Sequence, residues 1–255
     1  MPVQLFNLSY TPGYRHVFLR EMNGHDEISL AENGSNDVLD FLDRLIVRKH
    51  HDSAEAPPAS AISVADRDRL LAAIYKTYFG SMISSVLTCS SCAKPFDTDF
   101  SLDELARYNE TRAVPTRRDD EGYFDVDGFG RFRLPSGEDE MAVVGLDASQ
   151  AEMELIRRCM GSTPSKERAV KLQELMEQVA PLLFVETTVI CPECNHQQSA
   201  VFDMQEFLMS RLRNEQQRTL AEIHCLAISY KWRHKEILNL TRSLRKTYSR
   251  LSGLE

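Results

Sequence analysis

Apolar residues recur at helical spacing early in the chain, where Val38, Leu39, Phe41, Leu42, Leu45 and Ile46 form one stripe. The pattern predicts an amphipathic helix, with Ser35 placed to cap its N-terminus. A second helical pattern runs from Asp66 to Tyr78 and a third from Arg168 to Ala180. Leu155, Ile156, Cys159 and Met160 form a shorter stripe, with Asp147 at its start. Two β-rich runs, Ile83 to Thr88 and Val185 to Ile190, each lead into a C-x-x-C turn. Beyond Phe207 the pattern is nearly continuous helix, first Leu220, Ile223, Ala227 and Tyr230, then Ile237, Leu240, Leu244, Tyr248 and Leu251.

These patterns repeat. Val86-Leu87-Thr88-Cys89-Ser90-Ser91-Cys92 matches Thr188-Val189-Ile190-Cys191-Pro192-Glu193-Cys194, 102 positions later. Without a gap, Phe100 to Leu105 then falls on Phe202 to Phe207, and Asp66 to Tyr78 overlies Arg168 to Ala180. Farther upstream, Leu19 to Glu27 resembles Phe132 to Glu140 at an offset of 113. The Asn23-Gly24 and Ser136-Gly137 pairs mark turns after a strand. The first copy carries its extra residues at Lys49 to Ser60, and Asp52 to Ser60 reads as a flexible loop. Arg107 to Glu121, charged and containing Pro115, reads as an exposed linker between the copies. The predicted fold is therefore α+β, with two internally duplicated lobes and a helical extension. Residues 1–121 are the first lobe with its N-terminal strands and linker, 122–207 the second lobe, and 208–255 the C-terminal extension.

The cysteines carry the chemistry. Cys89, Cys92, Cys191 and Cys194 are the candidate metal ligands, because two C-x-x-C knuckles between short strands supply four sulfurs for a tetrahedral zinc ion. The 98 residues between the pairs exceed the spacing of a compact ribbon, but most of them belong to the second repeat. Each lobe would contribute one knuckle. A thiol–disulfide pair would open a helix instead. A metal-free pair of knuckles and an iron–sulfur cluster are the other readings of four thiols. Cys159 and Cys225 sit in apolar helical stretches and read as core.

Composition narrows the function. The net charge of −8 disfavours broad binding to nucleic acid or anionic lipid. No apolar run reaches the ~20 residues that span a bilayer. Met1-Pro-Val-Gln-Leu-Phe-Asn lacks the build of a signal peptide, which points to a reducing cytoplasm. The histidines form no constellation: His50-His51 lies in the loop, His196 follows the second knuckle, and His224 and His234 are helical. The acids Asp97, Asp99, Asp103, Glu104 and Glu138, Asp139, Glu140 fit strand faces and helix N-termini better than catalysis. No phosphate loop, dinucleotide fingerprint or nucleophile elbow is present, so no enzymatic activity is expected. Between Lys231 and Arg250 seven basic residues face one acid, Glu236. This segment reads either as a solvated helix face or as a docking surface built on Arg242, Arg245 and Lys246.

Several runs together resemble a known family. They are Phe18-Leu19-Arg20-Glu21-Met22-Asn23-Gly24-His25-Asp26-Glu27, Asp66-Arg67-Asp68-Arg69-Leu70-Leu71-Ala72-Ala73-Ile74-Tyr75 with Phe79-Gly80, and the two cysteine pairs. Glu222-Ile223-His224-Cys225-Leu226-Ala227-Ile228-Ser229-Tyr230-Lys231-Trp232 and Glu236-Ile237-Leu238 complete the set. From about Val17 to Leu251 the chain looks like a protein encoded with contractile phage tails and extracellular contractile injection systems. It is similar to the baseplate hub assembly proteins of T-even-like phages. The resemblance implies a non-enzymatic, chaperone-like assembly factor or structural component, with baseplate hub, spike or wedge proteins as partners. It also implies a place in the bacterial host cytoplasm or in the assembled tail-like particle. The zinc expectation rests on the cysteines of this sequence. The rival reading is a zinc-ribbon adaptor that binds nucleic acid through the basic tail.

Overall fold

The computed structural model describes residues 3–30, 37–49, 55–114, 116–119 and 121–253. The expected cap Ser35, the His50-His51 pair, the loop residues 52–54 and Pro115 lie outside the described residues.

The chain is α+β. It opens with an antiparallel hairpin, β1 (Val3–Asn7) and β2 (His16–Arg20), followed by α1 (Gly24–Ile28) and α2 (Asp37–Leu45). A 3-10 turn at Ala59–Ala61 precedes α3 (Val64–Phe79). Ser63 caps α3 by accepting from Asp66 N, worth about 1 kcal/mol. Gly80 ends the helix at φ +84°, in the region that L side chains resist. Hairpin β3 (Met82–Thr88) and β4 (Pro95–Ser101) leads into α4 (Leu102–Arg112). A short hairpin, β5 (Phe124–Val126) and β6 (Gly130–Phe132), is followed by α5 (Gly137–Ala142), α6 (Ala148–Met160) and α7 (Lys166–Val179). Hairpin β7 (Phe184–Ile190) and β8 (Gln197–Asp203) runs directly into α8 (Met204–Tyr230), then α9 (His234–Leu238) and α10 (Arg242–Leu251). Each hairpin is its own two-stranded sheet.

Two compact units result, one from Met1–Ile62 with Leu208–Glu255, the other Ser63–Phe207. The second unit ends at Phe207, where a boundary was expected, but begins at Ser63 rather than at residue 122. The reason lies in which elements pair. In the second unit, Ser63 bridges Ser136 and Val64 N donates to Pro135 O (3.0 Å), so α3 docks on the turn after β6. In the first unit, Asn23 bridges Thr241 and Arg242 N donates to Met22 O (2.7 Å), so α10 docks on the turn after β2. The chain's two ends thus belong to one unit.

The two docked turns share their wiring. Arg20 grips Asp26, with Nη2 2.8 Å from Oδ1, while Asn23 N donates to the same carboxylate at 2.9 Å. At the matching positions Arg133 grips Asp139 (2.8 Å) and Ser136 N donates to it (2.9 Å). Asn23-Gly24 and Ser136-Gly137 therefore cap the short helices α1 and α5, where sequence suggested simple turns. Each docked helix then sends an arginine to the next acid, Arg245 to Glu27 and Arg67 to Glu140. A buried charge gains enough from its partner to offset desolvation only when it is paired and hydrogen-bonded. Arg67 and Arg245 each hydrogen-bond to their carboxylate, although Arg67 Nε and Arg245 Nη1 stay buried with no hydrogen-bond partner among the described residues.

The first unit packs the stripe Val38, Leu39, Phe41, Leu42, Leu45 and Ile46 into its interior, as its spacing predicted. A second cluster joins Ile223 and Leu226 of α8 to Ile237 and Leu238 of α9, with Tyr230, Trp232 and Tyr248 against it. In the second unit Leu70, Leu71, Ile74 and Tyr75 of α3 are buried. The expected linker is partly structured: residues 107–112 complete α4, Asn109 is buried with its amide on Leu182 O (2.7 Å), and Val114 N donates to Gln178 O (2.7 Å).

Candidate metal centre

The β3–β4 tip is a tight knuckle. Cys89 N donates to Lys94 O (2.9 Å), Ala93 N donates to Cys89 O (3.0 Å), and Ala93 takes φ +57°. The β7–β8 tip repeats it: Cys191 N to His196 O (2.9 Å), Asn195 N to Cys191 O (2.9 Å), and Asn195 at φ +57°. Left-handed backbone costs a residue such as alanine about 1–2 kcal/mol. A tip that adopts it at Ala93 must recover that energy from what the turn assembles.

What it assembles is four sulfurs. Cys89 Sγ lies 3.6 Å from Cys194 Sγ, and Cys92 Sγ lies 3.8 Å from Cys191 Sγ. All four ligand atoms fall within 4.8 Å of one another. A tetrahedron with metal–sulfur bonds of about 2.3 Å has edges of about 3.8 Å, so the cluster is sized for a four-thiolate ion. Disulfides would need sulfurs about 2.0 Å apart, and all six cysteines are free.

Electrostatics favour a cation at the centre. The backbone N–H of Cys92, and then that of Ser91, stabilise the Cys89 thiolate and bring its pKa down to about 6. Cys194 receives similar help from His196 N–H, but its three thiol neighbours push it up to about 12. Backbone dipoles thus favour ionisation within the cluster, and sulfur–sulfur crowding opposes full ionisation. A dication between the sulfurs removes that obstacle.

Neighbouring groups fix the knuckles. Phe96, Leu87 and Val189 pack around the buried Cys89 and Cys191. Gln198 accepts from Ser90 N (2.8 Å) and donates to Thr88 O (3.1 Å), crossing from one hairpin to the other. Lys94 pairs with Glu193 at 2.5 Å across the tips. Cys194 is exposed and Cys92 half-buried, so the site sits at the surface edge of its core.

The remaining candidates fall elsewhere. Cys159 is buried on α6, and burial pushes its thiol up to about 12, as suits a core residue. Cys225 is half-buried, 3.3 Å from Ser252 Oγ. His196, His224 and His234 are exposed. Asp139 and Glu140 belong to the ion pairs at the start of α5, while Asp97 and Asp99 stand exposed on β4.

The basic docking face requires correction. Arg242 and Arg245 are among the largest fully buried side chains, and Lys246 is half-buried. Arg242 pairs with Glu27 and Glu215, and Arg245 with Glu27 and Glu222 (Nε–Oε2 3.0 Å). In the sequence these arginines stand among Lys231, Arg233, Lys235 and Arg250, all of which are exposed. The available signal was a Ser or Thr cap followed four residues later by arginine, Ser63/Arg67 and Thr241/Arg245. No described helix is long and apolar enough to cross a membrane. Comparison with protein-family models, with curated proteins and with solved structures finds no match to this chain.

Proposed function

We propose that this chain is a zinc-stapled, non-enzymatic assembly factor or structural component for the baseplate of a contractile tail or tail-like injection system. The observation that carries the structural half is the convergence of Cys89, Cys92, Cys191 and Cys194 within 4.8 Å at two matching hairpin tips. Four protein thiolates complete a tetrahedral shell and leave no position for substrate or activated water. Zinc in such a shell holds elements together. The baseplate half is supported by the sequence resemblance, which spans most of the chain.

Duplication is part of the proposal. The matching knuckles and the matching Arg–Asp turns support one ancestral unit of hairpin, helices and knuckle, copied once. Each copy's turn now docks on a helix from another part of the chain.

The zinc-ribbon adaptor remains the alternative. Lys94 at the knuckle tips is neutralised by Glu193, and Arg242 and Arg245 are buried, which weighs against phosphate binding at either place. The functional test is co-expression with the hub, spike and wedge proteins of a contractile tail. A complex with one of them, and tails that fail to assemble without this chain, would support the proposal. Salt-sensitive retention on DNA without any such complex would favour the adaptor.

A further inference from the structure

The two cysteine hairpins meet at their tips and part below them. Between them lies a cavity of about 460 Å³. Leu87, Phe100, Val185, Val189, Ala200 and Phe202 line it, all half-buried, while Phe100 and Phe202 meet edge to face (4.8 Å). These side chains form the facing sides of the ribbons, yet they do not close the space between them. Val201, at the cavity rim, is 63% exposed, and on the outer sides Val86 and Ile190 are 66% and 57% exposed among polar residues such as Ser84, Glu186 and Ser199.

Strand edges add to this surface. β3–β4 and β7–β8 are separate two-stranded sheets, so each strand has an edge that pairs with no third strand among the described residues. Soluble proteins usually guard such edges with lysine or proline. Here the four strands carry Asp97, Asp99, Glu186 and Asp203, no lysine or arginine, and the single proline Pro95. Asp99 and Glu104 both line the cavity. The strands thus combine an apolar groove with open edges and charges of one sign.

We infer that the groove between the zinc-joined hairpins is the partner-docking site, and that it takes an extended protein segment in which bulky apolar side chains alternate with lysine or arginine. The apolar side chains would fill the cavity, the basic ones would meet Asp99 and Glu104, and the segment's backbone would pair with an open edge. The uniform acidity selects this occupant over a second copy of the same face, which would bring like charges together. The inference rests on the reading of the chain as a protein-binding component. It does not depend on which tail protein supplies the segment.

The test uses full-length protein and fluorescent seven-residue peptides, the length of β3. One peptide alternates valine with lysine, one valine with glutamate, and one serine with lysine. The first should bind at least about tenfold more tightly than the others and weaken with added salt. Asp99→Lys with Glu104→Lys should reverse the preference between the two valine peptides. Ala200→Phe, which fills the cavity, should weaken both by at least about tenfold. Metal content and circular dichroism, unchanged in these variants, show that the fold is intact. Absence of binding at millimolar peptide, or binding indifferent to the charge reversal, would overturn the inference. So would a salt-sensitive dimer in sedimentation that the reversal abolishes, since the groove would then belong to a second copy. None of these outcomes bears on complex formation with tail proteins, so the proposed function stands or falls separately.

Discussion

Arg245 of α10 donates to Glu27 of α1 across 218 residues of sequence, and both side chains are sealed from solvent. The pair ties the end of the chain to its beginning. Glu222 from α8 and Arg242 with Glu215 extend it into a five-membered ion cluster. Removing one partner strands a buried charge, so Arg245→Ala should cost the first unit about 3–5 kcal/mol. Arg250→Ala, at an exposed position of the same helix, should cost less than about 0.5 kcal/mol. Urea denaturation compares them directly. Reversing Arg242, Arg245 and Lys246 to glutamate should unfold this unit, and a folded triple variant would contradict the cluster's role.

Gly24 tests the packing beside that cluster. A Cβ at this position would lie 2.8 Å from Leu238 Cδ2 and 3.0 Å from Leu238 Cα, so α1 meets α9 through the missing side chain. Leu238 can turn its methyl away, but its backbone is held within the apolar cluster of α8 and α9. Gly24→Ala should destabilise by about 1–3 kcal/mol, read from thermal or chemical denaturation.

Asp68 sets a pH dependence in the second unit. Burial raises its carboxyl from the ordinary 3.8 to about 7, although Leu183 N–H (3.0 Å) and Arg67 pull it down. The folded chain therefore holds this proton more tightly than the unfolded one. Its contribution is complete below the unfolded value and is lost as pH rises from about 4 to about 7. Asp68→Asn, which keeps an acceptor for Leu183, should flatten melting temperature against pH across that range. Asp139 has the opposite sign. Burial resists its ionisation, but Arg133, the Ser136 N–H and Arg158 hold it below the usual carboxylate range. Its contribution is present above about pH 4 and disappears in stronger acid.

Cysteine substitutions separate the site from the core. Cys89→Ser and Cys191→Ser open the same shell from different hairpins, so both should lose the metal and destabilise the second unit alike. Cys159→Ala removes a buried thiol on α6 and should leave metal content unchanged. Loss of metal in the Cys159 variant, or retention in either of the others, would show that the ligand set is different.

Sequence periodicity made the local elements legible. The stripe from Val38 to Ile46 is buried, Asp147 caps α6 by accepting from Gln150 N (2.9 Å), and both β-rich runs form the rising strand of a cysteine hairpin. Spacing alone also brought Cys89 and Cys191 into comparable turns. It could not show which turn docks on which helix. That choice depends on Arg67–Glu140 and Arg245–Glu27, contacts 73 and 218 residues apart. An arginine that completes a buried pair carries the same letter as one on a solvated face. For that reason Arg242 and Arg245 read as surface, and the linker reading missed the helical turns through Arg112.

The central claim is that two hairpins are joined by one zinc ion on four thiolates, and metal analysis with X-ray absorption on protein purified without chelators tests it most directly. The account predicts about one zinc per chain, surrounded by four sulfurs at about 2.3 Å with no nitrogen or oxygen in the shell. Protein free of metal, a mixed nitrogen–sulfur shell, or iron in place of zinc would contradict it.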